Sequence, residues 1–313
     1  MLLYILRRLG AGLVLAILVT FITYLLLSPS FDSIARAVLG ESANDATVAA
    51  LEHKLGFDRP IVVQYVDWLS GALHGNFGTT IFTSEPVGPA VVQRLSVTLS
   101  IVLVALVLTT VLSVTLGVWA ATRGGTVDRT AQGLSLFGMV FPGLLLAIIL
   151  VYVFAITLRW LPAGGYTSPG DNLGLWARSI ILPVVVLTIP GIANMASQVR
   201  GTMIDELRKD YVRTLRTRGI NPRTIILKHA LRNAAGPALT VLGFEFIGML
   251  GGALIIERVF ALQGYGTYAF NAALQGDIPL IMGITLFGVL LVVAVNLAID
   301  VVNGFLIPKV RTF

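Results

Sequence analysis

The side chains that most often carry out chemistry in proteins are few and scattered in this sequence. The three histidines, His53, His74 and His229, lie far apart and lack the short spacing of metal ligands. The sequence has no cysteine, no Gly-x-x-x-x-Gly-Lys-Ser/Thr phosphate loop and no Gly-x-Ser-x-Gly nucleophile turn. We therefore expect no catalytic residue, no metal site and no cofactor in this chain.

Polar side chains within long apolar segments are better candidates for function. Asn194 and Gln198 stand four residues apart and share one face of a predicted helix, and Glu245 lies in the next apolar segment. Polar groups cost free energy in lipid, so they tend to face the interior of a helix bundle or a cavity. We predict that these three side chains line a translocation path. The alternative, hydrogen bonding between helices, stays open on the sequence.

A long charged segment, Asp205–Arg232, separates those two apolar segments. Leu207, Tyr211 and Leu215 recur at helical spacing, while arginines occupy the other face. The pattern predicts an amphipathic helix over Asp205–Gly219, whose first turn would hold Asp205 and Glu206, where the helix dipole favours anions.

The end of this predicted helix carries its own signals. Gly219 stands where a left-handed C-terminal cap is needed. Asn221-Pro222 is typical of a cap followed by a first helical residue, and it predicts a second short helix ending near Arg232. Two short helices joined in this way would form a stiff docking surface. A positive loop that only fixes membrane topology is the alternative.

The composition excludes an ordinary soluble domain. Hydrophobic residues make up 56% of the chain and charged residues 12%, against roughly 25% charged residues in soluble proteins. The net charge of +6 comes from Lys and Arg near the ends of apolar segments, which indicates membrane topology rather than nucleic-acid binding. We infer an integral membrane protein.

Six apolar segments predict an all-α polytopic protein with six transmembrane helices. The predicted spans are about Leu9–Leu27, Leu95–Thr122, Ala131–Leu158, Ser179–Val199, Pro237–Ile256 and Leu280–Phe305. Pro142 is expected to bend the third span. The first apolar run exceeds the roughly 7–15 residues of a signal-peptide core, so we expect an uncleaved span.

The distribution of basic residues predicts the orientation. Most of the 22 Lys and Arg residues fall in segments that lie on the same side as the N-terminus, which places both termini in the cytoplasm. We divide the chain into residues 1–94, the first span with an extracytoplasmic segment, and residues 95–313, a five-helix core. The core contains a cytoplasmic loop at about residues 200–232.

The extracytoplasmic segment, about Ser28–Arg94, has helical signals of its own. Asn44 or Asp45 would cap a helix over Ala46–Leu55 that Gly56 ends. A second amphipathic stretch, Pro60–Leu73, brings Tyr65, Trp68 and Leu69 near one face, which suits a membrane interface. We expect this segment to fold onto the extracytoplasmic face and shape the mouth of the path.

Several segments together resemble the permease subunits of binding-protein-dependent ABC importers, in their peptide/nickel branch. Asp210–Gly219, DYVRTLRTRG, followed by HALRN at His229–Asn233, resembles that branch's version of the EAA motif. Gly219 and Leu231 match the motif's Gly and Leu, whereas Arg213 stands at its Glu position and Thr214-Leu215 at its Ala-Ala.

Other segments resemble the same branch, and most closely the first (B-type) permease of oligopeptide and dipeptide systems. These segments are LGFDRP at Leu55–Pro60, HGNFG at His74–Gly78, LPxxGY at Leu161–Tyr166 and the Gly-rich run Gly251–Gly266. At the tail, Ile307-Pro308-Lys309 departs from the family's common Asp-Pro-Arg.

The resemblance implies a type I importer fold in the cell inner membrane. It also implies partners: a second permease subunit, two ATPase subunits that bind ATP and Mg²⁺, and an extracytoplasmic substrate-binding protein. The chain itself would be no enzyme and would take up peptides by alternating access. The residues implied for coupling to the ATPases are Leu207, Tyr211, Arg213, Thr214, Leu215, Gly219 and Pro222.

Two other functions remain open on the sequence. An ATP-independent secondary transporter or channel would usually show inverted repeats or charged residues along a mid-membrane path, and few such residues occur here. An ABC permease for nickel, glutathione or another small solute is the second alternative. A membrane-embedded enzyme would need a catalytic cluster that the sequence lacks.

Overall fold

The computed structural model describes residues 2–306, and these residues are almost entirely helical. Within that range the only extended pairing is an isolated bridge between Thr79 and Pro86. The α-helices are α1 (Leu2–Leu27), α2 (Phe31–Leu39), α3 (Asp45–Leu55), α4 (Ile61–Leu73), α5 (Val87–Arg123), α6 (Gly125–Val140), α7 (Gly143–Leu150), α8 (Leu173–Leu207), α9 (Asp210–Thr217), α10 (Pro222–Thr224), α11 (Leu231–Val259), α12 (Tyr265–Gln275) and α13 (Ile278–Leu306). Two π-helical segments, Val151–Thr157 and Ile225–Ala230, continue α7 and α10.

Five helical segments in the described range are long and apolar enough to cross a membrane. They are Tyr4–Leu39, Val87–Arg123, Leu173–Leu207, Pro222–Val259 and Ile278–Phe305. A sixth crossing results if Asp128–Val140 and Gly143–Thr157, which meet at a bend of 95°, are counted as one broken span. The predicted all-α fold is confirmed, and each predicted span corresponds to one of these segments. The predicted tail, 307–313, lies outside the described residues.

The break in the third span follows from proline chemistry. Pro142 lacks an N–H group, and its ring disfavours the helical region for the residue before it. Phe141 accordingly takes an extended conformation, with φ −72° and ψ 121°. The bend expected at Pro142 is therefore a complete break between α6 and α7.

The described residues group into two compact units. One consists mainly of Val97–Gln263, and the other combines Leu6–Ser96 with Gly264–Ala294. This grouping differs from the division at residue 94, because α12 and the first half of α13 associate with the N-terminal segment.

The N-terminal segment packs as a folded layer on α1. Tyr65 of α4 is buried, and its hydroxyl lies 2.9 Å from Thr20 Oγ1 and donates to the carbonyl of Ile17 over 2.9 Å. Trp68 and Leu69 pack against the apolar cluster that Tyr65 forms with Tyr24 and Phe31. The face of α4 that carries Tyr65, Trp68 and Leu69 therefore covers protein, where the sequence suggested a membrane interface, while Val62, Val66 and Leu73 on the rest of the helix are exposed.

The caps of α3 agree with the sequence. Asn44 and Thr47 form a reciprocal capping box, which identifies Asn44 as the N-cap. Gly56 ends the helix with φ +76°, a left-handed conformation that glycine adopts without strain.

The sequence analysis did not predict α2 or α12.

Close helix packing in the larger unit depends on small residues. A side chain at Gly117 of α5 would lie 2.8 Å from the side chain of Val199 in α8. A side chain at Gly191 would lie 2.9 Å from Thr109 Cγ2. The apolar cluster near the C-terminal end of α8 includes Met203 and continues onto α11. These contacts hold α5, α8 and α11 together.

Candidate functional site

The predicted start of the helix over Asp205–Gly219 is wrong. The long helix α8 continues to Leu207, and the chain turns at Lys209, whose φ of −68° and ψ of 150° are extended. Asp205 and Glu206 therefore occupy the last turn of α8 rather than the first turn of a separate helix. The helix continues because Met203 and Leu207 pack into the apolar cluster with α11, so tertiary contacts extend it past the apolar span.

The separate helix on this side is α9, which has eight residues. Its buried residue is Val212, at 1% exposure, while Tyr211 and Leu215 are half-buried. Leu207 lies in α8, so the predicted stripe of Leu207, Tyr211 and Leu215 is divided between two helices. Val212 was missed, although its spacing of three residues from Leu215 could have indicated it. Arg213 and Thr214 are exposed.

A hydrogen-bond network bridges the break between α8 and α9. The carboxylate of Glu206, on a residue only 8% exposed, accepts the ammonium group of Lys209 at Oε1. Its Oε2 accepts the hydroxyl of Tyr211 over 2.9 Å. The same hydroxyl accepts from Asn233 Nδ2 of α11 over 3.3 Å. The buried carboxylate of α8 thus bonds to α9 directly and to α11 only through the Tyr211 hydroxyl.

The ionisation of this network follows from its geometry. The hydrogen bond from Lys209 to Glu206 raises the pKa of the lysine above its ordinary value. Burial raises the pKa of the Tyr211 hydroxyl. Both groups carry their donor protons at neutral pH in any case, and the raised pKa values move the loss of these protons further into the basic range.

The end of α9 agrees with the prediction. Gly219 has φ +73°, and the Ile220 N–H returns to the carbonyl of Leu215 over 3.2 Å. Asn221 caps the next segment by accepting the Arg223 N–H over 2.9 Å, and Pro222 is its first residue. The predicted end of that second helix near Arg232 is wrong. The chain continues through the π-helical segment into α11, because Ile225 and Ala230 are buried and tie the segment to the spans.

Two of the three predicted path residues lie in direct contact. Asn194 Nδ2 donates to Glu245 Oε1 over 3.0 Å, which joins α8 to α11. Both residues are half-buried. Gln198, one turn further along α8, is also half-buried, and its carbonyl accepts from Thr202. The structure therefore brings Asn194 and Glu245 together and leaves the Gln198 side chain outside that pair.

The helix face beside Glu245 is open in this chain. A side chain at Gly248 or Gly252 would meet no other atom within 4 Å. These glycines follow Glu245 by three and seven residues, so they share its face of α11. Phe244 and Ile247 beside them are 70% and 41% exposed.

Sequence reasoning missed an ion pair in the C-terminal part of α8, six residues before Glu206. Arg200 binds the carboxylate of Asp128 through two nitrogens, Nε and Nη2, the latter over 2.6 Å. The pair connects α6 to α8. The sequence analysis counted Arg200 only as a basic residue near a membrane end and did not consider Asp128. An arginine within one helix turn of a predicted span end was the available signal.

Two of the segments that carry the family resemblance meet in space. The Gly165 N–H donates to the carbonyl of Phe260 over 2.9 Å. A side chain at Gly164 would come within 2.6 Å of that same oxygen, so glycine is required there. Glu257, which is fully buried, accepts the hydroxyl of Thr98 over 2.5 Å. The segment Leu161–Tyr166 is therefore joined to the Gly-rich run by a backbone hydrogen bond, and Glu257 of that run is joined to α5 through Thr98.

Comparison with known families gives two matches that together cover nearly the whole chain. Residues 113–312 match the family model "Binding-protein-dependent transport system inner membrane component". Residues 1–102 match the N-terminal model of binding-protein-dependent transport system membrane components. The matches include both α9 and the N-terminal layer.

Individual proteins give the same result. The chain is 38% identical to a protein of Sinorhizobium fredii named a probable peptide ABC transporter permease, over 98% of this chain and 99% of that protein. It is 34% identical to the oligopeptide transport system permease protein OppB of Mycobacterium bovis, over 98% of each chain.

Among solved structures, an inward-facing form of the MetNI methionine ABC transporter matches with a TM-score of 0.56 and 18% identity. The match covers 72% of this chain and the whole of that chain, and it supports the type I importer fold. This chain therefore belongs to the family of inner membrane components of binding-protein-dependent transport systems, as a permease subunit of an ABC transporter.

Proposed function

We propose that this chain pairs with a second permease subunit to form the path for peptides in an ATP-driven importer. The observation that carries the proposal is end-to-end similarity to two permeases named for peptide or oligopeptide transport, at 38% and 34% identity. Each of them is covered over nearly its whole length, so the shared region includes both the spans and the connecting loops.

The rest of the proposed assembly follows from that role. The chain spans the inner membrane with both termini in the cytoplasm, and two ATPase subunits dock on the cytoplasmic side. An extracytoplasmic binding protein delivers the peptide. ATP and Mg²⁺ are bound by the ATPases, so this chain supplies movement and a path rather than a reaction.

The surface proposed to receive the ATPases is built on α9. Arg213 and Thr214 are exposed, and Leu215 and Tyr211 are half-buried, so the helix presents charged and apolar groups together. Gly219 and Pro222 set its end and the direction of the chain behind it. Leu207 anchors the base of α8 in the apolar cluster. A short helix fixed at both ends transmits a rigid-body movement better than a flexible loop does.

The path is proposed to run beside the contact between Asn194 and Glu245. A half-buried carboxylate in the middle of a span is costly unless it has a partner, and Asn194 supplies one N–H. A polar group of a peptide or a water molecule could replace that partner as the helices tilt. Gln198 would offer a further amide one turn along α8.

Reconstitution tests the proposal. The chain is co-expressed with a second permease, two ATPase subunits and a binding protein encoded by the same genome, purified, and inserted into liposomes. We expect the ATPases to co-purify and labelled peptide to enter only with ATP and binding protein present. Uptake of nickel or glutathione in place of peptide would contradict the substrate class. Uptake without ATP would contradict the importer and favour a secondary transporter.

A further inference from the structure

The stiffness of the junction between α8 and α9 determines whether a movement of α9 reaches the spans. The two helices are separated by Arg208 and the extended Lys209, and such a short extended break can act as a hinge. A hinge at this point would absorb a push on α9 instead of passing it to the spans. Something must therefore stiffen the junction if α9 is to move α8.

Glu206 is the residue in position to stiffen it. Its carboxylate lies on the α8 side and bonds across the break to Lys209 and, over 2.9 Å, to the Tyr211 hydroxyl on α9. Through that hydroxyl it also connects to Asn233 at the start of α11. The side chain of Glu206 is 10% exposed, so water competes little at the carboxylate, whereas the side chain of Lys209 is 56% exposed.

Packing beneath the network adds to the same effect. Val212, at 1% exposure, holds the inner face of α9 against the protein, and its N–H returns to the carbonyl of Lys209 over 3.0 Å. Tyr211 has two separable parts, because its hydroxyl bonds inside the network while its half-buried ring remains partly accessible. The ring and the hydroxyl can consequently serve different roles.

We propose that Glu206 is a positioning residue that fixes α9 to α8 and α11, so that a movement imposed on α9 by an ATPase becomes a tilt of both spans. The inference rests on the proposed function. It assigns to Glu206 the transfer of movement within the permease and leaves the capture of the ATPase to the outer surface of α9.

Two variants separate this role from ATPase capture. Tyr211→Phe removes the hydroxyl and keeps the ring, and Glu206→Gln removes the charge that binds Lys209 while keeping the shape. Asp205→Asn is the matched control, because it makes the same charge change one residue away on an exposed side chain. The quantity measured is ATP hydrolysed per peptide taken up by liposomes that contain the whole complex.

We expect Glu206→Gln to keep its ATPases bound and hydrolysing, with the ATP used per peptide rising severalfold, while Asp205→Asn keeps the parent ratio. Because the ring of Tyr211 also belongs to the proposed ATPase surface, Tyr211→Phe is compared per bound ATPase, and the ATP used per peptide should rise in it as well. The double variant should be little worse than either single one, since both changes break one network. If Glu206→Gln fails to assemble, Tyr211→Phe alone decides, because losing one hydroxyl is the milder change.

The inference would be overturned if both variants hydrolysed as much ATP per peptide as the parent. It would also be overturned if Asp205→Asn raised the ATP used per peptide as much as the two variants do. Reduced amounts of complex with an unchanged ratio would also overturn it, since that result describes a purely structural role. If the parent chain binds no ATPase, the proposed function and this inference are both overturned. If the parent and both variants use the same amount of ATP per peptide, only the inference is overturned.

Discussion

Gly219 shows how one residue decides the shape of the surface around α9. Its φ of +73° belongs to the left-handed region, and a side chain there would meet nothing within 4 Å. The restriction on this position is therefore one of backbone conformation and not of space. Asparagine tolerates that conformation far better than a β-branched residue does.

We expect Gly219→Val to strain the end of α9 by about 1–2 kcal/mol and to misplace the chain that leads into Pro222. The variant should insert normally and lose most of the peptide-stimulated ATP hydrolysis of the assembled complex. Gly219→Asn is the control and should keep most of it. Equal activity of the two variants would show that the left-handed cap is not what matters.

Asn194 and Glu245 give the second prediction at the scale of residues. Asn194→Leu leaves a half-buried carboxylate without its N–H donor, at a cost of about 1–3 kcal/mol. We expect peptide uptake to fall severalfold while the amount of assembled complex stays near that of the parent. Ser197→Ala, an exposed neighbour on the same helix, serves as the control. Loss of assembly without a specific uptake defect would instead assign the pair to packing.

At the scale of elements, α9 combines two kinds of surface. Val212 faces inward and is buried, whereas Leu215 is half-buried beside exposed arginines. The apolar part available to a partner is smaller than a continuous stripe from Leu207 would have been. A partner that binds here must therefore use few apolar anchors and several polar contacts.

Leu215→Asp tests this description of α9. A carboxylate in place of the half-buried leucine should weaken ATPase co-purification at least tenfold, a loss of about 1.4 kcal/mol or more in binding. Thr217→Asp introduces the same charge on an exposed position of the same helix and is the matched control. Unchanged co-purification and transport by Leu215→Asp would show that α9 does not dock an ATPase.

At the scale of the whole molecule, each compact unit combines segments that are far apart in the sequence. The family models divide the sequence near residue 102, but Gly264–Ala294 packs with Leu6–Ser96. Asp277 is one of the residues that make this association. It is 2% exposed, and its Oδ2 accepts the Ile81 N–H over 3.0 Å. Burial raises the pKa of this carboxyl above its ordinary value.

The orientation of the chain is testable because it contains no native cysteine. Single cysteines at Asn76 and Thr217, both exposed, should react with a membrane-impermeant thiol reagent from opposite sides. We expect Asn76→Cys to be labelled in intact cells and Thr217→Cys only after the membrane is opened. Labelling of both in intact cells would refute the arrangement with both termini inside.

The sequence by itself determined the features that depend on local chemistry. The apolar runs predicted the spans, because lipid requires about 20 apolar residues in a helix. Asn44, Gly56, Gly219 and Asn221-Pro222 marked helix ends, because caps depend on the backbone and side chains of a few adjacent residues. These features needed no knowledge of distant contacts.

Only the tertiary structure decided where α8 stops, which residues the network joins and how the two units are composed. Leu207 continues α8 because it packs on a cluster with α11, and Glu206 is satisfied by groups on α9 and through them on α11. The contact of Asn194 with Glu245 joins residues 51 positions apart in the chain. Periodicity along one segment carries no information on such partners, because burial and hydrogen bonding are properties of surfaces that come together only on folding.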